Sequence, residues 1–115
     1  MEGPLNPGDV VIVNFPYTDD AEKYKPRPAL VLASPNPFIC ILAEITTSLL
    51  LRPHSVPLFA QDFVEGRIRE TSRIRADVIF TLDIKMFKEK VGSVSEAKLS
   101  EVLMALSEIL YGRIN

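Results

Sequence analysis

The chain has a single cysteine, Cys40, and a single histidine, His54. One cysteine excludes an internal disulfide and fits a reducing compartment. With no second thiol or imidazole and no carboxylate–histidine spacing, there is no metal-binding signature. A Gly-rich phosphate loop and a Gly-x-Ser-x-Gly nucleophile elbow are also missing, so no cofactor is expected. No apolar run is long enough to span a bilayer. The first residues, Met1-Glu2-Gly3-Pro4, have neither the basic nor the apolar region of a signal peptide. The expected setting is the cytoplasm, with no membrane partner. A basic surplus is absent as well: the net charge of −2 argues against a general nucleic-acid binder.

What is present is ordinary for a folded domain. Apolar residues make up 47% of the chain and charged residues 24%, a balance that argues against disorder. A length of 115 residues suits one domain, residues 1–115, around one core. Nine prolines and five glycines fall mostly between apolar runs, which favours many strands joined by turns. The charge is uneven: Lys23, Lys25 and Arg27 cluster early, and Arg67, Arg69, Arg73 and Arg75 cluster in the middle. A local cationic surface on an acidic protein is compatible with that pattern.

Asn6-Pro7-Gly8-Asp9 reads as a turn, and the β-branched run from Val10 to Phe15 as a first strand stopped by Pro16. Tyr17 to Pro26 is a polar loop longer than most strand connections, and loops of that kind often carry function. A second strand, Ala29 to Ala33, turns through Ser34–Pro37 into an antiparallel third, Phe38 to Ile45. Alternation sets Ile39, Ile41, Ala43 and Ile45 on one face and Cys40, Leu42, Glu44 and Thr46 on the other. Val56-Pro57-Leu58 is a short strand whose proline suits an edge, and Gln61 to Gly66 is a turn. Ser72 to Thr81 alternates as a long strand, Asp83 caps a helical turn through Phe87, and Lys90 to Val94 is a last short strand. Ser95 is placed to cap a helix in which Leu99, Val102, Leu103, Leu106, Ile109 and Leu110 form one apolar stripe, ended by Gly112. Leu103 and Leu106 are expected in the core. The fold class is mainly β, a strongly bent antiparallel sheet or small barrel with one C-terminal helix lying on it.

Arg27 stands between Pro26 and Pro28, where proline geometry holds the backbone extended at a strand entrance. Its fork of donors matches phosphate oxygens. In an antiparallel hairpin the start of one strand and the end of the next share an edge, so Arg27 and Thr46 are neighbours. A loop bearing Glu22, Lys23 and Lys25 overhangs them. Such a set can bind a phosphate: Arg stabilises developing charge, Thr hydrogen-bonds an oxygen, and Glu accepts a proton. His54, flanked by Pro53 and Ser55, reads as a solvated loop residue, and Cys40, inside an apolar run, as a small buried hydrophobe.

At these residues the chain resembles the MazF/PemK family of toxin endoribonucleases. The likeness runs through Pro7-Gly8-Asp9-Val10-Val11-Ile12-Val13-Asn14-Phe15-Pro16-Tyr17-Thr18-Asp19, Arg27-Pro28-Ala29-Leu30-Val31-Leu32, Ile45-Thr46-Thr47-Ser48, Phe80-Thr81-Leu82-Asp83 and Lys90-Val91-Gly92-Ser93-Val94-Ser95. It implies an SH3-like barrel with a C-terminal helix, usually a homodimer. It implies metal-independent cleavage of single-stranded RNA at short sequences, leaving a 2′,3′-cyclic phosphate and a 5′-OH. Arg27 and Thr46 fall on the family's catalytic pair and Glu22 on an assisting residue, with Tyr17, Thr18, Lys23, Lys25, Thr47 and Asp77 as RNA contacts. A cognate antitoxin would cover the same cleft. Three features depart from the family pattern: the loop before Arg27 has no glycine, Asp77-Val78 replaces an acidic-Gln pair, and Glu44 lies on the face of Thr46. Two competing readings follow, a non-catalytic relative that binds DNA gyrase and an inactive family member.

Overall fold

Val10, Val11 and Val13 are all fully buried, yet they belong to two separate apolar clusters, Val10 to one and Val11 and Val13 to the other. An unbroken Val/Ile run is what a strand covered on both faces requires. The same division holds for the next two strands. Leu30 and Leu32 face the first cluster with Ala43 and Ile45, while Ala29 and Val31 face the second with Cys40 and Leu42. The face assignment read from the alternation of the third strand therefore holds.

The computed structural model describes residues 5–17, 20–48 and 50–112, with the side chains of residues 16–24 outside that description. Its strands are β1 Asp9–Tyr17, β2 Asp20–Asn36, β3 Ile39–Thr46, β4 Ser55–Leu58, β5 Phe63–Gly66, β6 Ser72–Asp83 and β7 Phe87–Val94, followed by α1 Glu96–Leu110. They form one antiparallel sheet in the order β4-β6-β3-β2-β1-β7-β5. The sheet does not close into the expected barrel: β4 and β5 are its ends. No described helix is long and apolar enough to cross a membrane.

Three expectations need correction. In the segment read as a loop from Tyr17 to Pro26, Tyr17 ends β1 and residues 20–26 begin β2, with β1 continuing through Pro16 and pairing with β2 as far as Tyr17↔Asp20. Pairing of β1 with β7 ends at Val13↔Phe87 and that of β2 with β3 at Ala29↔Glu44. Beyond those points the hairpin has open outer edges, where a proline's missing N–H breaks no ladder. Residues 63–66, read as part of a turn, form edge strand β5 after a single 3-10 turn at Ala60–Asp62. Close approach explains it: Gly66 pairs with Gly92, and a Cβ on Gly66 would collide with the Val91 carbonyl. Leu103, expected in the core, is 40% exposed, since only one side of α1 meets the sheet.

The rest of α1 forms as its sequence dictates. The Ser95 hydroxyl accepts from the Lys98 N–H at 3.2 Å, and Val102 is fully buried with Leu99, Leu106 and Ile109 packed beside it. Each such side chain taken out of water stabilises the fold by roughly 1.5–3 kcal/mol. Lys98 is buried as well. Its Nζ donates to the Pro57 carbonyl at 2.9 Å and reaches Glu101 Oε1 at 2.9 Å and Asp62 Oδ2 at 3.5 Å, tying α1 to β4 and to the 3-10 turn. At the other end of the chain, Gly8 takes a φ of +97°. Its N–H donates to Val31 O and its carbonyl accepts from Val94 N, at 2.8 and 2.9 Å. The Pro7-Gly8-Asp9 turn thus joins β1 to β2 and β7.

Candidate active site

On the face of the second cluster, polar side chains follow the apolar ones: Arg27 beyond Ala29 on β2, and Glu44 and Thr46 beyond Leu42 on β3. The hairpin of β2 and β3 starts at Asn36↔Ile39, a register which, continued unbroken, sets Ser48 opposite Arg27. Two one-residue shifts, between Val31 and Ala33 and between Ala33 and Asn36, change it to Ala29↔Glu44. Extended by two residues, that register brings Thr46 opposite Arg27. Facing residues of an antiparallel pair point to the same side, so the guanidinium and the hydroxyl share a face. Arg27 lies well inside β2 rather than at its entrance, facing Val13 on β1. The prolines on either side of it have no N–H to offer, and the β2–β3 ladder stops at Ala29.

Neither side chain is sealed off, and α1 packs on the opposite face. Arg27 Nη1 lies 3.4 Å from Glu44 Oε1, with the Arg27 side chain 41% exposed. Its other donors have no partner among the described residues. The Thr46 hydroxyl accepts from the Ser48 N–H at 3.1 Å. That bond uses an oxygen lone pair and leaves the hydroxyl proton free to donate.

The row continues across β3 into β6. Thr46 faces Arg73 and Glu44 faces Arg75. Arg75 grips Asp77 through both edges, Nε to Oδ1 at 3.2 Å and Nη2 to Oδ2 at 2.8 Å. This bidentate bond, ahead of simple charge attraction, holds the Asp77 carboxyl below its ordinary value and raises that of Arg75. Arg73 is half-buried and differently held: Nε donates to Ser55 Oγ at 2.8 Å and Nη2 to Ser55 O at 3.1 Å. Both partners are neutral.

Of the expected site residues, the fold brings Arg27 and Thr46 together. Lys25 is exposed two residues before Arg27 and on the same face. Asp77 lies beside the row, where β6 shifts register between Ala43↔Ile79 and Glu44↔Arg75, with its carboxylate held by Arg75. Thr47 is not with them. It lines a groove of about 680 Å³ on the reverse face, alongside Ile12, Pro28, Arg67, Arg69 and Lys90. Thr18 and the side chains of Tyr17, Glu22 and Lys23 lie outside the described residues. His54 is exposed in a turn with φ +63°, and Cys40 is buried against Ser34 Oγ at 3.1 Å. Among the described residues no three His, Cys, Asp or Glu side chains are grouped to hold a metal. The arginines of β6 are the residues that sequence reasoning saw only as a charge cluster. The signal was their alternation with Ile74 and Ala76, both fully buried in the core, which assigns Arg73 and Arg75 to the other face.

The chain matches known proteins along almost its whole length. The family model described as PemK-like, MazF-like toxin of type II toxin-antitoxin system matches residues 6–110. The chain belongs to that family. Among solved structures, MazE–MazF (Form-II) from Deinococcus radiodurans is similar with TM-score 0.76 and 23% identity, covering 97% of this chain and 100% of that one. MazF (Form-I) from the same organism gives TM-score 0.73 and 24% identity, with 97% and 100% covered. An endoribonuclease in complex with its cognate antitoxin, from Mycobacterial species, gives 0.74 and 20%, with 98% and 100% covered. No curated protein matches the chain.

Proposed function

We propose that the chain is an endoribonuclease toxin that cuts single-stranded RNA without a metal. The observation that carries this reading is the common face of Arg27 and Thr46, each with donors that no described residue uses. Family membership and structural neighbours named as endoribonucleases support it. In the proposed reaction the ribose 2′-oxygen attacks the adjacent phosphorus. A bond forms between the 2′-oxygen and phosphorus while the bond from phosphorus to the 5′-oxygen breaks, giving a 2′,3′-cyclic phosphate and a 5′-OH. Arg27 stabilises charge accumulating on the phosphoryl oxygens, and the Thr46 proton hydrogen-bonds one of them. The 2′-OH proton passes to a carboxylate, assigned to Glu22, and the 5′-oxygen takes up a proton from water as it leaves.

The same reading includes a cognate antitoxin, a homodimer and a cytoplasmic setting. Solution mass tests the dimer, and a stable 12.8 kDa monomer would count against it. Cleavage is tested with single-stranded RNA in EDTA, mapping the ends produced by wild type and by Arg27→Ala. The expected result is cyclic-phosphate and 5′-OH ends from wild type and a loss of about a hundredfold or more in the variant, with its melting curve retained. Equal cleavage by the variant would refute the assignment.

A further inference from the structure

We propose that Arg73 is a second phosphate site, holding the linkage next to the one that is cut. The inference rests on the nuclease reading and extends it from a single linkage to the path of the RNA strand. Arg73 sits directly across β3–β6 from Thr46 and on the same face. Its backbone is two strand spacings from Arg27, about 10 Å. The bonds from Nε and Nη2 to Ser55 turn its fork toward β4, away from Arg27, so the two guanidiniums cannot close on one phosphate. They are arranged to hold successive ones along a strand that crosses β2, β3 and β6.

The charges around it support an anion as the missing partner. Arg27 pairs with Glu44, and the charge of Arg75 is matched by the Asp77 carboxylate. Arg73 is the arginine of the row that has no carboxylate partner among the described residues. Its two bonds to Ser55 fix the side chain without setting its charge against any described carboxylate, and a half-buried guanidinium in that condition is stabilised by a bound anion. Ser55 acts as the positioning residue: it pins one edge of the fork, leaving Nη1 and the second Nη2 hydrogen for a ligand. Contacts of this kind set the register of a nucleic acid without reading its bases.

The test uses the full chain and an RNA oligonucleotide whose 2′-oxygens are methylated, so that it binds but cannot be cut. Affinity is measured against salt for wild type, Arg73→Gln and Arg73→Lys, and cleavage is measured on unmodified RNA and on a dinucleotide with a single linkage. Arg73→Gln should weaken binding of the long oligonucleotide on the order of tenfold and reduce its salt slope by about 0.7. Arg73→Lys should restore most of the slope. The loss on unmodified RNA should appear in KM rather than kcat and be absent on the dinucleotide. An unchanged slope, or an equal loss on the dinucleotide, overturns the second site, as does a lowered melting temperature with unchanged binding, which would make Arg73 only a tie between β6 and β4. If wild type cleaves RNA and Arg73→Gln matches it, this inference alone falls. If wild type neither binds nor cleaves RNA, the nuclease reading falls and takes it along.

Discussion

Arg27 and Glu44 meet across β2 and β3 at 3.4 Å, a carboxylate set against the guanidinium proposed to act on phosphate. The pair is long and partly exposed, so it contributes at most about 1 kcal/mol. It nevertheless opposes a bound phosphate by charge repulsion. Glu44→Gln keeps the shape and removes the charge. The expected outcome is a KM for single-stranded RNA lowered by up to about fivefold, measured by steady-state cleavage. A fall in kcat at constant KM would instead make Glu44 the proton acceptor.

Thr46 offers a proton because the Ser48 N–H occupies its oxygen. Thr46→Val removes that donor in nearly the same volume, and cleavage should fall about a hundredfold. Thr46→Ser should recover most of it. Single-turnover rates on one RNA would separate the three proteins, and a serine variant as inactive as valine would argue for packing rather than hydrogen bonding.

Lys98 is 8% exposed and joins α1 to β4 through the Pro57 carbonyl. Lys98→Met keeps the stem and deletes the bonds, so urea unfolding should show a loss of about 1.5–3 kcal/mol with an unchanged m-value. Glu101, half in solvent, is rehydrated without difficulty. A variant as stable as wild type would show that the buried ammonium contributes nothing.

Asp77 binds its proton less readily when folded than its ordinary value of 3.8 implies, first because Arg75 hydrogen-bonds the carboxylate. A depressed folded value means that the unfolded chain takes up protons more readily. The stabilisation is therefore complete above the unfolded value and is lost as pH falls through the folded one. Asp77→Asn should melt slightly below wild type at neutral pH, and the gap should close below pH 3.8. A gap that persists in acid would assign the effect to something other than the Arg75 pair.

Much of this arrangement was legible in the sequence because it depends on local chemistry. Ser95 and the residues Leu99, Val102, Leu106 and Ile109 define α1 through capping and period. Pro57 announced an edge strand, and β4 is one. The β1–β2 arm was not legible, since pairing of its polar residues leaves no apolar alternation to read. Strand β5 was hidden because it is short, its pairing shifts register between Phe63 and Glu65, and its last pair is two glycines, Gly66 and Gly92. The site was half visible. Arg27 and Thr46 could be placed at one end of a hairpin, but the shifts that align them come from backbone irregularities without a residue code. Arg73 needed the partner strand, which lies 27 residues along the chain from Thr46.

The register shifts make the hairpin unequal in its tolerance of length change. Both place surplus backbone on β2, between Val31 and Asn36, so a one-residue deletion there can be absorbed by straightening an irregularity, with Thr46 still across from Arg27. On the β3 side, between Cys40 and Glu44, the chain has no such slack, and losing one unit would rotate the threonine away to the groove face. Related sequences should accordingly differ in length before the turn and keep a constant count after it.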